Sequence, residues 1–452
     1  MAPHATMATH EEDIQRVFGG RFEGNARRSV PGAQWGRGMS RELVNDFLVV
    51  SRYAEPPAEA TIIQALAAAG LGTPTYQPTG ATTSAAPQSR VGTYRLSRLG
   101  ALGAGATLRL SVMRHTRAAL ADMGEGAFGQ LTRRLGAEDA QTLRTGTLTF
   151  DARLKADEEQ IAESLRWAMD VLRTLVSLTG GAVVDPAAQT AWGAERLNAM
   201  ATGSYAAHLS VHDEAWGADS RWLHTHGLQK FGRPELDLAD VPVALRAEAE
   251  AFLAEVAENL AQGQRLIAGQ EIDLDEQGTV IAVSVSPNGE HQAPFARLRL
   301  ADTPEPGARQ GVGAGRLLAR IALADARRRL DAGDEAGALE TIERVLAADS
   351  DDCAALALKA HILLERQQPH EALALGELME LRTPLDYRGP LTVGLALLAI
   401  GRSREALNAL DRAIEREPEA AQAFVARAEA YRLLGDERLA AVDRARAAYL
   451  GV

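Results

Sequence analysis

The chain has 452 residues, a formal net charge of −12, 46% hydrophobic residues and 24% charged residues. A chain of this length is too long for a single hydrophobic core, so two or three domains are expected. The hydrophobic and charged fractions are those of an ordinary globular protein. The balance is acidic and no predicted helix carries a stripe of Lys or Arg, which disfavours nucleic acid as a partner.

The first 42 residues form a polar, Gly-rich arm in which we expect disorder. This arm has no apolar run long enough for a secretory signal or a membrane span. The single cysteine, Cys353, cannot form an internal disulfide, which indicates a reducing compartment and a packing role. These features predict a cytoplasmic protein that does not contact membranes.

Residues 43–301 mix strand patterns and helix patterns without the regular alternation of a doubly wound sheet. We therefore predict an α+β domain with a largely antiparallel sheet. Apolar alternation predicts strands at 46–53, 93–97, 107–113, 145–154, 182–184, 205–212, 221–226, 235–238, 279–286 and 294–300. Helical spacing predicts helices at 58–69, 116–135, 158–178, 186–199 and 242–262. The Thr-, Ser- and Pro-rich stretch at 73–89 is expected to be a mobile loop.

The main candidate for chemistry lies on two neighbouring predicted strands near the middle of the chain. Side chains in a strand alternate between faces, so each strand gathers polar residues on one face. These residues are His208, Ser210 and His212 on one strand and Trp222, His224 and His226 on the other. We expect an antiparallel pair with His212 opposite Trp222. This register places His208 opposite His226 and one diagonal step from His224.

The predicted site thus joins three imidazoles to a nearby carboxylate, and its members are His208, His224, His226, Asp213 and Glu235. Clustered neutral imidazoles are typical ligands of a divalent metal such as zinc. A metal-free site with one histidine as general base is a second option. The third option is structural: the histidines and Trp222 form a hydrogen-bonded patch that fixes the bends at Gly227 and Gly232. No catalytic motif accompanies the histidines, so a metal-dependent, hydrolase-like enzyme stays an alternative function.

The segment Trp-Leu-His-Thr-His-Gly-Leu at 222–228 resembles a motif of an uncharacterised bacterial domain family. The Gly-Gly-Ala-Val-Val-Asp segment at 180–185 is similar to a helix–strand junction in the same family. The resemblance covers about 170–300. It implies no activity, because the family has no known one, but it marks the region of interest.

After a predicted linker at 302–315, the chain repeats one pattern four times. The turn positions Gly333, Gln367, Gly401 and Gly435 are spaced by 34 residues. Small residues recur at one fixed position before each turn and at one fixed position after it. These are the two places where the paired helices cross most closely. The small residues are Ala338, Ala372, Ala406 and Ala440 after the turns, and Ala326, Ala360, Gly394 and Ala428 before them. This pattern resembles that of tetratricopeptide repeat proteins, which implies four helical hairpins over 316–452 forming an all-α solenoid.

The resemblance also implies a concave groove lined by the first helix of each repeat. Carried onto this chain, the groove residues are Arg320, Leu323, Arg327, His361, Leu364, Arg388, Leu391, Leu395, Leu398, Val425, Glu429 and Arg432. Arginines beside an apolar strip favour an acidic or amphipathic peptide segment of a protein partner. The chaperone-binding members of this family hold a C-terminal carboxylate in a clamp of Lys and Asn side chains. The corresponding positions here hold Leu323, Arg327 and Leu358, which argues against that ligand. Self-association through the last hairpin is a further option.

Overall fold

A computed structural model describes residues 42–79, 88–99, 105–199, 205–266, 271–273, 280–285, 298–302 and 315–451. The predicted arm at 1–42, apart from its last residue, and nearly all of the predicted linker at 302–315 lie outside these ranges. The described residues fall into two compact units. The first comprises those within Met1–Asp240 and Ala249–Gln310, and the second those within Val241–Glu248 and Gly311–Val452.

The first unit contains a seven-stranded sheet in the order β2-β3-β4-β5-β1-β6-β7. Its strands are β1 Glu42–Val50, β2 Thr75–Pro78, β3 Gln88–Leu99, β4 Gly105–His115, β5 Leu148–Asp157, β6 Ala182–Asp185 and β7 Thr190–Trp192. All neighbouring strands run antiparallel. Consecutive side chains of β1 are fully buried although they point to opposite faces, so the centre of this sheet is covered on both sides.

Helices supply that cover. They are α1 Glu59–Ala68, α2 Glu125–Thr132, α3 Ala137–Thr145, α4 Ile161–Thr179 and α5 Ala194–Ala199. Leu48 and Val50 of β1 pack in one core cluster with Phe128 and Leu143 of the short helices. The longest of them, α4, packs on β1 and β5 through an apolar stripe and ends at Gly180 in the left-handed conformation.

A second sheet of six strands has the order β11-β12-β13-β10-β9-β8. Its strands are β8 Ser210–Ala215, β9 Ser220–His226, β10 Leu236–Pro242, β11 Glu271–Asp273, β12 Val280–Val285 and β13 Leu298–Asp302. Helix α6 Arg246–Ala261 follows β10. The pairing of β10 with β13 is parallel, whereas β8 with β9 and β12 with β13 are antiparallel. The predicted α+β class with a largely antiparallel sheet is therefore confirmed.

Three stretches outside the hairpin of β8 and β9 differ from their predicted elements. The stretch predicted as a loop at 73–89 contains β2, which pairs with β3. The helix predicted at 186–199 is divided, because Gln189 takes a positive φ of 48° and reverses the chain into β7. The helix predicted at 116–135 begins only at Glu125, and α3 follows it. In two of these stretches a short strand pairs with a strand next to it in sequence, β2 with β3 and β7 with β6.

The C-terminal part of the chain is a run of eight helices within the described residues. They are α7 Gly315–Asp331, α8 Glu335–Ala348, α9 Cys353–Glu365, α10 Pro369–Arg382, α11 Arg388–Ile400, α12 Ser403–Arg416, α13 Ala421–Leu433 and α14 Glu437–Tyr449. Each predicted turn residue lies between two helices and has a positive φ: 80° at Gly333, 59° at Gln367, 85° at Gly401 and 84° at Gly435. The register of the four hairpins is therefore confirmed, and the region is a tetratricopeptide-like solenoid.

The small residues lie at the helix crossings, as their spacing predicts. Ala338, Ala372, Ala406 and Ala440 are all fully buried. At the matching position before the third turn, a Cβ added to Gly394 would come within 2.6 Å of the Leu410 side chain, which would have to shift to admit an alanine. No helix among the described residues has both the length and the apolar content needed to cross a membrane.

Candidate functional site

Strands β8 and β9 form a hairpin whose register differs from the predicted one. His212 lies opposite His224, and Ser210 lies opposite His226. The predicted pairing of His212 with Trp222 is wrong by two residues. Because side chains alternate with a period of two, a shift of two residues leaves every side chain on its predicted face.

Local structure at both ends of the hairpin sets this register. At the turn, the backbone N–H of Trp216 donates to the carbonyl of Ser220 at 3.0 Å, so the hairpin closes across residues 217–219. At the other end, Tyr205–His208 forms a 3₁₀ helix, and the strand begins only at Ser210. His208 therefore cannot occupy the ladder position that the prediction gave it.

Three buried imidazoles meet on one face of this hairpin. The ring centroids are 4.6 Å apart for His212 and His226, 4.9 Å for His224 and His226, and 5.8 Å for His212 and His224. One nitrogen of each ring lies within 4.8 Å of one nitrogen of both others. Within the described ranges, this is the one group of histidine, cysteine or acidic side chains whose donor atoms converge closely enough for a metal ion.

Polar neighbours orient the rings. Gln130 of α2 donates through Nε2 to His212 Nδ1 at 2.8 Å. The other nitrogen of the same ring, Nε2, lies 3.2 Å from Ser210 Oγ. Glu214 places a carboxylate oxygen 3.9 Å from His224 Nε2. Glu214, which was not among the predicted site residues, thus places a carboxylate beside the cluster.

The indole of Trp222 covers the ring of His224, with centroids 4.0 Å apart and an interplanar angle of 28°. Its Nε1 donates to Asp237 Oδ2 at 2.9 Å. Arg299 also holds this carboxylate, through Nε at 3.1 Å and NH2 at 2.9 Å. An ion pair on β10 and β13 therefore fixes the indole, and the indole limits the positions open to His224.

His208 lies apart from the cluster, contrary to the prediction. Its ring packs edge-on against Trp192 and Phe231, at 6.2 and 6.0 Å between centroids. Nδ1 is buried and has no hydrogen-bond partner among the described residues. Burial, followed by the positive charges of Lys230 and Arg166, lowers the pKa of His208 from 6.5 to about 3. This imidazole is neutral at physiological pH.

The two predicted carboxylates also lie away from the histidines. Glu235 accepts hydrogen bonds from Thr225 Oγ1 and from the backbone N–H of Gly227, each at 2.8 Å. Thr225 points to the opposite face of the hairpin. Asp213 likewise alternates away from the cluster and pairs with Arg221 at 3.1 Å. Both carboxylates stabilise the hairpin and its turn instead of completing a site with the imidazoles.

A buried ion pair supports the turn that follows His226. Lys230 and Asp185 are both sealed from solvent, and the Lys230 ammonium donates to the Asp185 carboxylate. Burial lowers the pKa of Lys230, against the opposing effect of Asp185. Gly227 begins the turn with a φ of 106°, and a Cβ there would lie 2.3 Å from the His208 carbonyl oxygen. Only glycine fits this position.

The second candidate site is a concave pocket of about 470 Å³ in the solenoid. Its lining comes mainly from the first helices of the first three hairpins and consists of Arg327, Ala354, Ala357, Leu358, Ala360, His361, Leu364, Tyr387, Arg388, Leu391, Thr392, Leu395 and Gln422. The predicted groove residues Arg327, His361, Leu364, Arg388, Leu391 and Leu395 are brought together here.

The other predicted groove residues do not line this pocket. Leu323 is only 5% exposed and belongs to the core. Arg432 and Glu429 form an exposed ion pair with each other at 2.6 Å. Arg320, Leu398 and Val425 also lie outside the lining.

Several lining residues were not predicted. Ala354, Ala357 and Leu358 lie on the first helix of the second hairpin, so helical spacing from His361 could have found them. Gln422 and Tyr387 lie at helix starts and carry no comparable signal. At the histidine site, the strand alternation already placed Ser210 on the correct face. Gln130 comes from 82 residues away, and no local pattern reveals it.

No protein-family model matches the chain, and no curated protein matches it. Several solved structures are similar to part of it. A tetratricopeptide repeat protein of Thermus thermophilus, TTC0263, is 25% identical over 29% of this chain and 74% of its own, with a TM-score of 0.28. MamA of strain MSR-1 is 21% identical over 29% and 76%, with a TM-score of 0.24. MamA from Desulfovibrio magneticus RS-1 is 19% identical over 30% and 86%, with a TM-score of 0.25. TM-scores this low carry no functional argument.

Proposed function

We propose that this protein is an adaptor whose solenoid binds an acidic, amphipathic peptide segment of a protein partner. The observation that carries the proposal is the chemistry of the 470 Å³ pocket. Arginine and histidine side chains stand beside leucines in its lining, and none of the described lining residues is acidic. Such a surface complements a peptide that presents carboxylates and apolar side chains together.

The apolar part of the pocket suits one face of a helix or an extended segment. Leu358, Leu364, Leu391 and Leu395 come from the first helices of two neighbouring hairpins, and all four line the pocket. Leu391 is nearly buried, whereas Leu364 and Leu395 are half-buried and keep surface that a ligand would cover. Covering apolar surface contributes roughly 25 cal/mol per Å² of area removed from water.

The polar part of the pocket selects the ligand's charge. Arg388 is held in place by Asp386, with Nε at 3.0 Å and NH2 at 2.9 Å from its carboxylate oxygens. A guanidinium fixed in this way presents its remaining N–H groups in one direction and loses little conformational entropy when it binds a carboxylate. Thr392, Tyr387 and Gln422 add hydroxyl and amide groups that suit a peptide backbone.

The test uses the full chain and two labelled synthetic peptides measured by fluorescence anisotropy. One peptide is an amphipathic Glu/Leu helix, and the other is its Lys/Leu counterpart. The Arg327→Glu, Arg388→Glu double variant should weaken Glu/Leu binding by at least about tenfold, because a hydrogen bond to a charged group contributes about 1.5–3 kcal/mol. The Lys/Leu peptide should bind poorly to the unmodified chain.

A matched control places the same charge reversals on exposed arginines of second helices. Arg404→Glu with Arg438→Glu changes the net charge equally but leaves the pocket unaltered. This control should bind the Glu/Leu peptide as the unmodified chain does. Equal binding by both double variants, or tight binding of DNA at physiological salt, would contradict the proposal.

We infer a cytoplasmic adaptor with a polar arm at 1–42, an α+β domain at 43–301, a linker at 302–315 and four repeats at 316–452, which contacts neither membrane nor nucleic acid. A second copy of the chain is the other partner to consider. The last hairpin exposes Val425 at 44%, Val442 at 61% and Tyr449 at 79%. Sedimentation equilibrium would show whether this apolar surface joins two chains.

A further inference from the structure

We propose that His212, His224 and His226 bind a divalent transition-metal ion of the zinc class. The three rings project from two paired strands onto one face, and one donor nitrogen of each lies within 4.8 Å of those of both others. A zinc ion bound at its usual Zn–N length of about 2.1 Å in tetrahedral geometry holds its donor nitrogens about 3.4 Å apart. The donor nitrogens, now within 4.8 Å of one another, would have to draw together to that separation on binding the ion.

The donor set determines the class of metal. Imidazole nitrogens suit zinc and its neighbours among the first-row metals, whereas calcium and magnesium prefer oxygen ligands. Three histidines leave the fourth tetrahedral position open to water or another ligand. Glu214, with a carboxylate oxygen 3.9 Å from His224 Nε2, is the neighbour placed to accept a hydrogen bond from a bound water or to complete the coordination itself.

The neighbours of the rings match what a metal site requires. A ligating histidine usually has a polar partner on its second nitrogen, which fixes the ring orientation. Coordination through His212 Nδ1 leaves Nε2–H to donate to Ser210 Oγ, whereas coordination through Nε2 requires Gln130 to turn its amide oxygen toward Nδ1–H. Trp222 fixes the plane of His224 by stacking. Two of the three ligands, His212 and His224, are therefore oriented by side chains from within the hairpin and from outside it.

Burial strengthens the argument for a ligand. His212, His224 and His226 are only 8%, 2% and 5% exposed. Removing polar imidazoles from water costs free energy that an apolar packing cluster would not. Coordination offsets this cost, because an ion that binds only the folded chain stabilises it by an amount that grows with its affinity.

The experiment titrates the metal-free full chain with ZnCl₂ by calorimetry and with CoCl₂ by absorption spectroscopy. We expect one ion per chain, a tetrahedral Co²⁺ spectrum and a rise in the midpoint of thermal unfolding with added Zn²⁺. Single variants His212→Gln, His224→Gln and His226→Gln should each weaken Zn²⁺ binding by more than about 100-fold, which exceeds the typical effect of losing an outer-sphere partner.

His208→Gln is the matched control, because this histidine is adjacent in sequence yet its ring packs between Trp192 and Phe231. It should keep full Zn²⁺ affinity. Circular dichroism of each variant confirms that it is folded, and the cobalt spectrum of the unmodified chain reads the site without any substitution. An unmodified chain without tetrahedral Co²⁺ absorption, or folded variants that all bind like His208→Gln, would overturn the proposal. Neither result depends on the solenoid pocket.

Discussion

Trp222 and Asp237 are joined by a hydrogen bond of 2.9 Å between the indole Nε1 and Oδ2, in a place where the carboxylate is fully buried. Replacing Trp222 with Phe keeps an aromatic ring over His224 but removes the donor. We expect the free energy of unfolding to fall by about 1.5–3 kcal/mol, because the bond involves a charged acceptor. Urea denaturation followed by far-ultraviolet circular dichroism measures this change.

The Arg299→Lys variant provides the comparison for this prediction. Lysine keeps the positive charge beside Asp237 but cannot reproduce the two guanidinium bonds. Both variants should be less stable than the unmodified chain, each having lost donors to the same carboxylate. A Phe variant as stable as the unmodified chain would show that the indole contributes only its stacking.

The helix crossings of the solenoid should not tolerate larger side chains. Ala406 is fully buried at the crossing of the third hairpin, so Ala406→Leu should lower the stability of the solenoid by about 1–3 kcal/mol through overpacking. Ala399→Leu makes the same substitution at an exposed position of the preceding helix and should have little effect. Differential scanning calorimetry compares the two. Equal melting temperatures would contradict the crossing geometry.

One of the four turns carries a residue that fits its backbone poorly. Gln367 has a φ of 59°, whereas the other three turns use glycine. Gln367→Gly should stabilise the solenoid by about 0.5–1 kcal/mol, since the left-handed conformation costs about 1–2 kcal/mol for other residues and the flexibility of glycine offsets part of the gain. The opposite change, Gly401→Ala, should destabilise it, although an added Cβ would meet no atom within 4 Å. Thermal unfolding of both variants checks the two signs.

His208 should make the stability of the first unit depend on pH. Its pKa is about 3 in the folded chain and 6.5 ordinarily, so between these values the unfolded chain binds a proton that the folded chain does not. Stability is therefore unaffected above about pH 6.5 and falls as the pH is lowered below it. At pH 5 the loss should reach about 2 kcal/mol.

The measurement compares urea unfolding of the unmodified chain and His208→Gln at pH 7.5 and pH 5. Tryptophan fluorescence does not report on the repeats, because all five tryptophans precede them. Glutamine does not titrate, so the variant should gain about 2 kcal/mol relative to the unmodified chain on acidification. If the difference between the two proteins is the same at both pH values, His208 titrates normally in the fold.

Regular repetition made the solenoid predictable from sequence. Each hairpin repeats the same small residues at the same spacing, and four independent copies confirm one another. The first unit lacks this redundancy. Its strands gain their partners from distant segments, as when β1 pairs with β5 about a hundred residues away, and local patterns cannot specify such pairings. Short elements such as β2 and β7 were missed for a different reason, because three or four residues carry too little alternation to predict a strand.

The sequence predicted which face of the sheet carries the histidine cluster, but it did not predict all of the residues in the cluster. Alternation places His224 and His226 on one side of β9 whatever the pairing. Which residue of β8 joins them depends on where that strand begins, and the 3₁₀ helix at Tyr205–His208 decides this. The contribution of Gln130 required the packing of α2 beside the hairpin, which only the folded chain reveals.

The register of β8 and β9 also indicates how this site can change. Ser210, His212 and Glu214 occupy successive positions on the face opposite His226, His224 and Trp222. A register shifted by an even number of residues would place a different one of these three beside His224 or His226, giving a hydroxyl, an imidazole or a carboxylate as the third group. An odd shift would instead bring in Val211 or Asp213. The surface turn that closes this hairpin thus also sets the donor chemistry of a buried site.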